Sequence, residues 1–217
     1  MQQDEHGHEH GQADEPHAAI RDEHELSYFE RRSAAIQALL VEKGIVAADE
    51  VRRAVEDMDS RTPTLGAKVV ARAWTDPAFK ARLLADSRAA VAELGIDLAT
   101  HAPFVVVENT ERVHHVVVCT LCSCYPRGIL GLPPDWYKSL NYRSRMVSEP
   151  RSVLREFGTD LDPDVEVRVL DSTADLRYLV LPTRPRGTEH LSEEELASLV
   201  TRDSMIGVAM ARTPELV

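Results

Sequence analysis

Apolar side chains recur at helical spacing in the first part of the chain, after a polar beginning. Phe29, Ile36 and Leu39 fall on one side of a predicted helix that Gly44 would stop. The same spacing predicts two further helices, at residues 48–58 and 65–74.

A longer helix is predicted after the Asp76-Pro77 pair, because Asp is a favoured N-cap and Pro is favoured at the first helical position. Gly95 would end this helix, and its apolar face would consist of Phe79, Leu83, Leu84, Val91 and Leu94. The helices of residues 26–100 share no obvious core. They are therefore expected to form either a helical arm that wraps a partner subunit or an ordinary helical subdomain.

The pattern changes at Pro103, where short β-branched runs replace the helical spacing. Four strands are predicted, over residues 104–107, 113–118, 165–171 and 177–181. Helices are predicted to begin at Pro133-Pro134, at Pro150 and, for a last helix with a capping box, at Ser192 with Glu195. The expected fold class is therefore α+β, with residues 101–217 as an α+β domain that follows the helical segment.

The composition narrows the possible functions. The chain has 217 residues, of which 43% are hydrophobic, so it can bury a core as one domain with an extension. Its net charge of -11 argues against nucleic-acid binding, which requires a basic face. No stretch has the apolar length needed to cross a bilayer, and the polar beginning lacks the features of a secretory signal. We therefore expect a cytoplasmic protein that does not associate with a membrane.

Residues 1–25 form a polar, acidic and His-rich tail. Such a composition buries too little apolar surface to offset the entropy lost on ordering, so disorder is expected. His6, His8 and His10 alternate along this tail and are candidates for binding a metal ion. A plain solvated tail is the other interpretation.

All three cysteines of the chain lie within six residues, as Cys119, Cys122 and Cys124, directly after the second predicted strand. Thiolates are soft ligands that favour transition metals. The spacing is too compressed for an ordinary zinc site, which usually takes its four ligands from two separate segments. A loop wrapped around one ion here would offer three sulfurs and two backbone nitrogens, and would leave one octahedral position open for catalysis. We call residues 119–124 the claw loop.

The cysteines have other possible interpretations. A disulfide would leave an odd thiol, and no other feature indicates an oxidising compartment. A structural zinc ion would need a fourth ligand, for which His114 and His115 are candidates. A thioredoxin-like redox pair fits poorly, because no parallel strand–helix–strand pattern is evident around the motif.

The cysteine motif and its surroundings resemble the α subunit of nitrile hydratase. The motif reads Val-Cys-Thr-Leu-Cys-Ser-Cys-Tyr-Pro at residues 118–126 and continues as Leu-Gly-Leu-Pro-Pro-Asp-Trp-Tyr-Lys-Ser at residues 130–139. Further matching segments are residues 65–70, 73–77, 107–110, 142–145, 171–174, 177–178, 191–196 and 201–208. The resemblance implies a helical arm followed by a layered α/β-sandwich metal-binding domain, and the hydration of a nitrile to the corresponding amide.

The resemblance also implies the ligands of the ion. A low-spin trivalent ion would be held by the sulfurs of Cys119, Cys122 and Cys124 and by the deprotonated backbone nitrogens of Ser123 and Cys124. Cys122 would be oxidised to sulfinic acid and Cys124 to sulfenic acid, two known stages of cysteine oxidation. Thr120 resembles the cobalt-type motif, since the iron type usually has serine there, so Co(III) is expected rather than Fe(III).

A partner is implied as well. In the family, arginines of a β subunit contact the oxidised sulfurs, because anionic oxygens favour charge-assisted hydrogen bonds. We therefore expect one or two separate β-type chains that complete the active site, and an activator protein or metallochaperone. Asp171, Asp175 and Arg177 match a charged cluster at the subunit interface, with a solvated strand end as the other interpretation.

Arg127 departs from the pattern of nitrile hydratases, which usually place a substrate-contacting tryptophan at this position. Arginine here resembles the catalytic γ subunit of thiocyanate hydrolase, which converts thiocyanate to carbonyl sulfide and ammonia. A small nitrile or thiocyanate is therefore the expected substrate, with polar or anionic molecules favoured. Cys124, Ser123 and Arg127 are the expected catalytic residues. A metal-binding protein without catalysis remains an alternative.

Overall fold

The computed structural model describes residues 27–98 and 102–214. The chain divides into two compact units between Arg53 and Ala54. The tail predicted for residues 1–25, including its three alternating histidines, lies outside the described residues. No helix in the described ranges is long and apolar enough to span a bilayer.

The elements of the described residues come in runs of helices that are separated by two pairs of short strands. The helices are α1 (Tyr28–Glu42), α2 (Ala48–Ser60), α3 (Pro63–Thr75), α4 (Pro77–Ala85), α5 (Ser87–Glu93), α6 (Arg127–Leu130), α7 (Asp135–Lys138), α8 (Leu140–Ser148), α9 (Pro150–Glu156), α10 (Glu193–Ser198) and α11 (Arg202–Ile206). The strands are β1 (Phe104–Glu108), β2 (Val113–Val118), β3 (Glu166–Asp171) and β4 (Arg177–Leu181). The predicted α+β class is confirmed.

Helix α1 begins at a capping box. The Ser27 hydroxyl accepts a hydrogen bond from the Glu30 N–H, and the Glu30 carboxylate accepts one from the Ser27 N–H. No residue of α1 is buried, and Tyr28, Phe29 and Ile36 each expose more than half of their surface. Within the described residues, no side chain of α1 belongs to a buried apolar cluster.

Helices α3, α4 and α5 bury apolar side chains in the core of the larger unit. Val69 and Val70 of α3, Phe79 and Leu83 of α4, and Val91 of α5 belong to one buried cluster that also contains the strands. Of the helices expected within an arm of residues 26–100, only α1 and α2 bury no residue.

The long helix predicted after Asp76 is interrupted, so the prediction of one continuous helix is wrong. The Asp76 carboxylate caps α4 by accepting from the N–H groups of Ala78 and Phe79. The Asp86 carboxylate then caps α5 by accepting from the Ala89 N–H. Because the apolar spacing continues across Asp86, periodicity alone did not reveal the break. A second N-cap residue was the available signal.

The strands pair in parallel, β1 with β4 and β2 with β3. Helices α6 to α9 connect β2 to β3, as parallel pairing requires a long crossover. A parallel strand–helix–strand pattern therefore does surround the cysteines, and the expectation that none would is wrong. In this register Val118, the last residue of β2, pairs with Asp171, the last residue of β3.

The loop between β1 and β2 is tied to the C-terminal helix by Asn109 and His114. The Asn109 side-chain oxygen accepts from the His115 N–H, and its amide nitrogen donates to His114 Nδ1. His114 Nε2 donates to the Gly207 carbonyl at 2.7 Å. Gly207 ends α11, which follows α10, so the capping-box helix at Ser192 is not the last helix as predicted.

We expect the buried His114 to make the fold sensitive to acid. Burial lowers the pKa of His114, so the folded protein binds its proton less readily than the unfolded chain does. Stability is therefore retained above the unfolded pKa of about 6.5 and lost as the pH falls below it. We would measure the free energy of unfolding in urea between pH 7.5 and 5.5. As the pH falls, the unaltered protein should lose up to about 1.4 kcal/mol per pH unit more than the His114→Gln variant loses.

A His190→Gln variant is the matched control, because His190 is exposed. This variant should keep the pH slope of the unaltered protein. If His114→Gln also kept that slope, the acid sensitivity would arise elsewhere.

Candidate metal centre

The claw loop follows directly from strand β2, whose last three residues are fully or almost fully buried. Cys119 is buried at the end of this rigid element, Cys122 is exposed, and Cys124 is buried. The Sγ atoms of Cys119 and Cys122 are 3.4 Å apart, and those of Cys122 and Cys124 are 3.1 Å apart. All three sulfurs lie within 4.8 Å of one another, and none forms a disulfide.

This arrangement fits a single transition-metal ion. Three sulfur atoms converge within the span of one coordination sphere, and thiolates are the donors that such ions favour over hard oxygen ligands. The alternative of an ordinary structural zinc site fits less well. Among the described residues, no histidine or carboxylate joins the three sulfurs in a common cluster, so the donor set differs from an ordinary four-ligand zinc site.

The thiols of Cys122 and Cys124 differ in acidity. Hydrogen bonds with the Cys124 and Cys119 thiols lower the pKa of the Cys122 thiol to about 7. Burial raises the pKa of the Cys124 thiol to about 12, although the nearby charge of Arg177 acts in the opposite direction. Cys122 therefore ionises more readily than Cys124, and it is also the exposed cysteine.

Side chains from outside the claw loop hold its main chain at successive points. The Asp171 carboxylate accepts from the Thr120 N–H at 2.9 Å and from the Thr120 hydroxyl at 2.5 Å. Arg143 Nη1 donates to the Cys122 carbonyl at 2.6 Å, and the Tyr137 hydroxyl donates to the Cys124 carbonyl at 2.8 Å. The loop conformation is thus fixed by contacts of its backbone as well as by its cysteines.

Helices α7 and α8 supply most of these contacts because they are anchored by aromatic packing. The Tyr142 hydroxyl donates to the carbonyl of Val117 in β2 at 2.8 Å. Trp136 packs edge-on against Tyr142 and Phe157, with ring centroids 4.8 and 4.7 Å apart. Tyr137 packs in the same cluster, against Tyr125. Edge-to-face aromatic pairs add about 0.5–1.5 kcal/mol each beyond the area they bury.

A cavity of about 480 Å³ opens onto the claw loop. Its volume is within the range that holds small-molecule ligands. Its walls are formed by the claw loop, by the end of α2 and by three arginines; the lining residues are Ala54, Asp57, Met58, Arg61, Leu98, Cys122, Ser123, Cys124, Tyr125, Arg127, Gly128 and Arg177.

The arginines of this cavity are not equivalent. Arg61 is bound by the Asp57 carboxylate and donates to the Asp97 carbonyl. Arg177 donates to the Leu176 carbonyl. Arg127 is exposed, and its side chain has no hydrogen-bond or ion-pair partner in the part of the chain that is described. It is therefore the cavity's available cation.

Most of the predicted site residues come together here. The cysteines, half-buried Ser123, Arg127 and Arg177 all lie at the cavity or the claw loop, and Asp171 binds Thr120. Asp175 instead lies in the exposed turn before β4. His114 has both ring nitrogens engaged, by Asn109 and Gly207, so it is not available as a fourth zinc ligand.

The sequence analysis assigned no role to several other residues of the site. Arg143, Tyr137 and Tyr142 contact the main chain of the claw loop or of β2, and Asp57 with Arg61 forms a cavity wall. The chain has only 5 tyrosines, so the presence of Tyr137 and Tyr142, five residues apart and near the cysteines, was a usable signal.

The comparisons with known proteins agree with the geometry. A family model described as nitrile hydratase, alpha chain, matches residues 27–209. The alpha subunit of the low-molecular-weight cobalt-containing nitrile hydratase of Rhodococcus rhodochrous is 54% identical, over 84% of this chain and 89% of that one. The gamma subunit of thiocyanate hydrolase from Thiobacillus thioparus is 42% identical, over 87% of this chain and 82% of that one.

A solved structure gives the same result in three dimensions. The iron-type nitrile hydratase of Comamonas testosteroni Ni1, in a double-histidine mutant, superposes with a TM-score of 0.80. Sequence identity is 47%, and the superposition covers 86% of this chain and 91% of that chain.

We predict that Gly128, directly after the cavity residue Arg127, tolerates no side chain. A Cβ atom at Gly128 would lie 2.1 Å from the backbone carbonyl oxygen of Leu98, which cannot move aside like a flexible side chain. Gly128→Ala should therefore lower the free energy of unfolding by about 3 kcal/mol, measured by urea denaturation. Gly66→Ala is the control, since its Cβ would meet the movable side-chain end of Met205, and it should cost about 1 kcal/mol. Equal losses in the two variants would contradict this explanation.

Proposed function

Because the chain belongs to the nitrile hydratase α-chain family, we propose that it is the metal-binding catalytic subunit of a cobalt nitrile hydratase. Such an enzyme adds one water molecule to the C≡N group of a nitrile and gives the corresponding amide. The observation that carries the proposal is the convergence of three free cysteine sulfurs within 4.8 Å at the wall of a cavity of about 480 Å³.

The residues that would hold the ion all belong to the claw loop. The proposed ligands are the sulfurs of Cys119, Cys122 and Cys124 and the backbone nitrogens of Ser123 and Cys124. Co(III) is proposed rather than Fe(III), on the basis of Thr120 and of the cobalt-containing relative. When bound, a trivalent ion supplies Lewis acidity that draws electron density away from the nitrile carbon. We also propose that Cys122 is oxidised to sulfinic acid and Cys124 to sulfenic acid.

The chain's own side chains would bind and orient the reactants. Ser123 is half-buried, lines the cavity beside the sulfurs, and carries a hydroxyl that both donates and accepts hydrogen bonds. It would hold water or substrate against the claw loop. The available guanidinium of Arg127 would bind the polar end of the substrate through directed N–H groups.

A β subunit, on one or two separate chains, would complete the site. Oxidised cysteines carry anionic oxygens, which favour charge-assisted hydrogen bonds from arginine. Exposed apolar side chains in the claw loop and at the start of α8 offer a surface for such a partner, since Leu121 exposes 89% of its surface and Leu140 exposes 75%. The exposed apolar residues of α1 offer a second surface, in agreement with an arm that wraps the partner. An activator protein or metallochaperone is proposed to load the metal.

Hydrolysis of thiocyanate to carbonyl sulfide and ammonia is the second candidate. The observation that favours it is Arg127, a cation in the cavity that would attract an anionic substrate. The 42% identity to a thiocyanate hydrolase subunit supports thiocyanate in particular as the anionic substrate of this second candidate. In either case the site would act in the cytoplasm.

We expect the complex of this chain with its β-type partner, expressed with cobalt, to contain about one cobalt ion per chain because the sulfur donors are complete. Elemental analysis and charge-transfer absorption should show the ion. Intact mass should show three added oxygens, two on Cys122 and one on Cys124. Cobalt-loaded complex should convert nitriles to amides in a substrate panel that also contains thiocyanate. Stoichiometric zinc without charge-transfer absorption would contradict the proposal, and activity on thiocyanate alone would favour the second candidate.

We expect Arg127→Trp to change the ranking of substrates. Replacing the guanidinium by an apolar ring should weaken turnover of polar or anionic substrates and improve that of small apolar nitriles. A hydrogen bond to a charged group is worth about 1.5–3 kcal/mol, so the ratio of kcat/KM values should change about tenfold or more.

Arg127→Lys is the matched control for this test, because it keeps the charge but loses the planar set of donors. It should give an intermediate ranking. If Arg127→Trp left the ranking unchanged in an intact complex, Arg127 would have no part in substrate selection. Loss of assembly with an unchanged ranking would assign it to the subunit interface.

A further inference from the structure

Arg143 reaches the claw loop from helix α8 and binds one particular peptide group. Its Nη1 donates to the carbonyl oxygen of Cys122 at 2.6 Å, a short distance typical of a charge-assisted hydrogen bond. That carbonyl belongs to the peptide bond between Cys122 and Ser123. The nitrogen of the same peptide group is the Ser123 nitrogen, one of the proposed ligands.

The planarity of the peptide bond links the two ends of this group. In a trans peptide the C=O and N–H bonds point in opposite directions, and the barrier to rotation about the C–N bond is about 18–20 kcal/mol. A side chain that fixes the direction of the Cys122 carbonyl therefore also fixes the direction of the Ser123 nitrogen. Rotation of the whole peptide plane would break the Arg143 contact.

We infer that Arg143 is a positioning residue that sets the orientation of the Cys122–Ser123 peptide, so that the Ser123 nitrogen faces the centre formed by the three sulfurs. This inference rests on the proposed function, because it concerns a ligand of the proposed ion. Arg143 acts through the peptide group and does not itself belong to the set of proposed ligands.

The surroundings of Arg143 favour this role over plain packing. Its Nε is buried and has no hydrogen-bond partner among the described residues. Among the described residues, the side chain of Arg143 makes no other hydrogen bond and no ion pair, so its guanidinium is committed to the Cys122 carbonyl. The neighbouring Tyr142 anchors α8 to the Val117 carbonyl, which fixes the base from which Arg143 extends.

Arg145 provides a matched control on the same helix. It pairs with the carboxylates of Glu149 and Glu156, and none of its recorded contacts is with the claw loop. Replacing it removes an arginine of α8 without touching the Cys122–Ser123 peptide. Comparing variants of Arg143 and Arg145 thus distinguishes the effect of losing a guanidinium on α8 from the effect of losing the contact with the Cys122–Ser123 peptide.

The test compares Arg143→Met, Arg143→Lys and Arg145→Met in the complex with the β-type partner, expressed with cobalt. We measure cobalt per chain, the charge-transfer spectrum and the rate of cobalt release into excess chelator. Arg143→Met should release cobalt about tenfold faster or more and show a shifted or weakened absorption. Arg143→Lys, which keeps a charged donor, should recover part of the loss, and Arg145→Met should match the unaltered complex.

Thermal unfolding of the cobalt-free complexes distinguishes positioning from general stability. Arg143→Met and Arg145→Met should have similar Tm values without metal, so that the difference appears in metal binding alone. If Arg143→Met does not assemble, Arg143→Gln replaces it, with the same expected loss. Unaltered cobalt content, spectrum and release in the assembled variant would overturn the inference while leaving the proposed function intact. Absence of cobalt from the unaltered complex would instead refute the proposed function, and the inference with it.

Discussion

The parallel pairing of β2 with β3 is the constraint on which the candidate centre depends. In this register the two strands end together, at Val118 and Asp171, and the ladder continues as the Ser172 N–H donates to the Val118 carbonyl at 2.7 Å. The end of β2 delivers Cys119, and the end of β3 delivers the carboxylate that binds Thr120. Because a shift of one residue would turn each side chain to the opposite face, register determines whether the claw loop has this support at all.

The claw loop is held from its outside, which leaves its inside free for an ion. Asp171, Arg143 and Tyr137 bind backbone atoms of Thr120, Cys122 and Cys124, so each contact constrains the path of the chain without occupying a sulfur. Without these contacts the loop would be free to move its sulfurs apart or to close a disulfide between two of them. External hydrogen bonds oppose both rearrangements, because each would leave a polar backbone group without its partner.

Local patterns in the sequence predicted the local elements and the cysteine cluster. The strands β2 and β4 were predicted with their observed bounds, because each is a short run of mostly β-branched, aromatic or other apolar residues, and Pro182 ends β4. The parallel pairing was not predictable in this way, because alternation identifies a strand but not its neighbour. The break at Asp86 was missed because the apolar face continues across it. Arg143 was missed for a related reason, as its contact joins residues 21 positions apart through a backbone atom that leaves no trace in the sequence.

Some of the arginines around the cavity have a partner within the chain, and another remains available to bind a ligand. Arg61 is neutralised by Asp57, and Arg143 is directed at the Cys122 carbonyl, so neither is free to bind a ligand in the cavity. Arg177 donates to the Leu176 carbonyl, so of the three guanidinium groups that line the cavity, that of Arg127 is the one without a partner among the described residues. A cation placed beside three potential thiolates would attract a small polar or anionic molecule toward the sulfurs. The same cation disfavours an apolar substrate, because such a substrate would remove water from the guanidinium without offering it a hydrogen bond, which costs free energy. On the proposed function, substrate choice would depend on one residue at the start of α6, and metal binding would depend on the loop that precedes it.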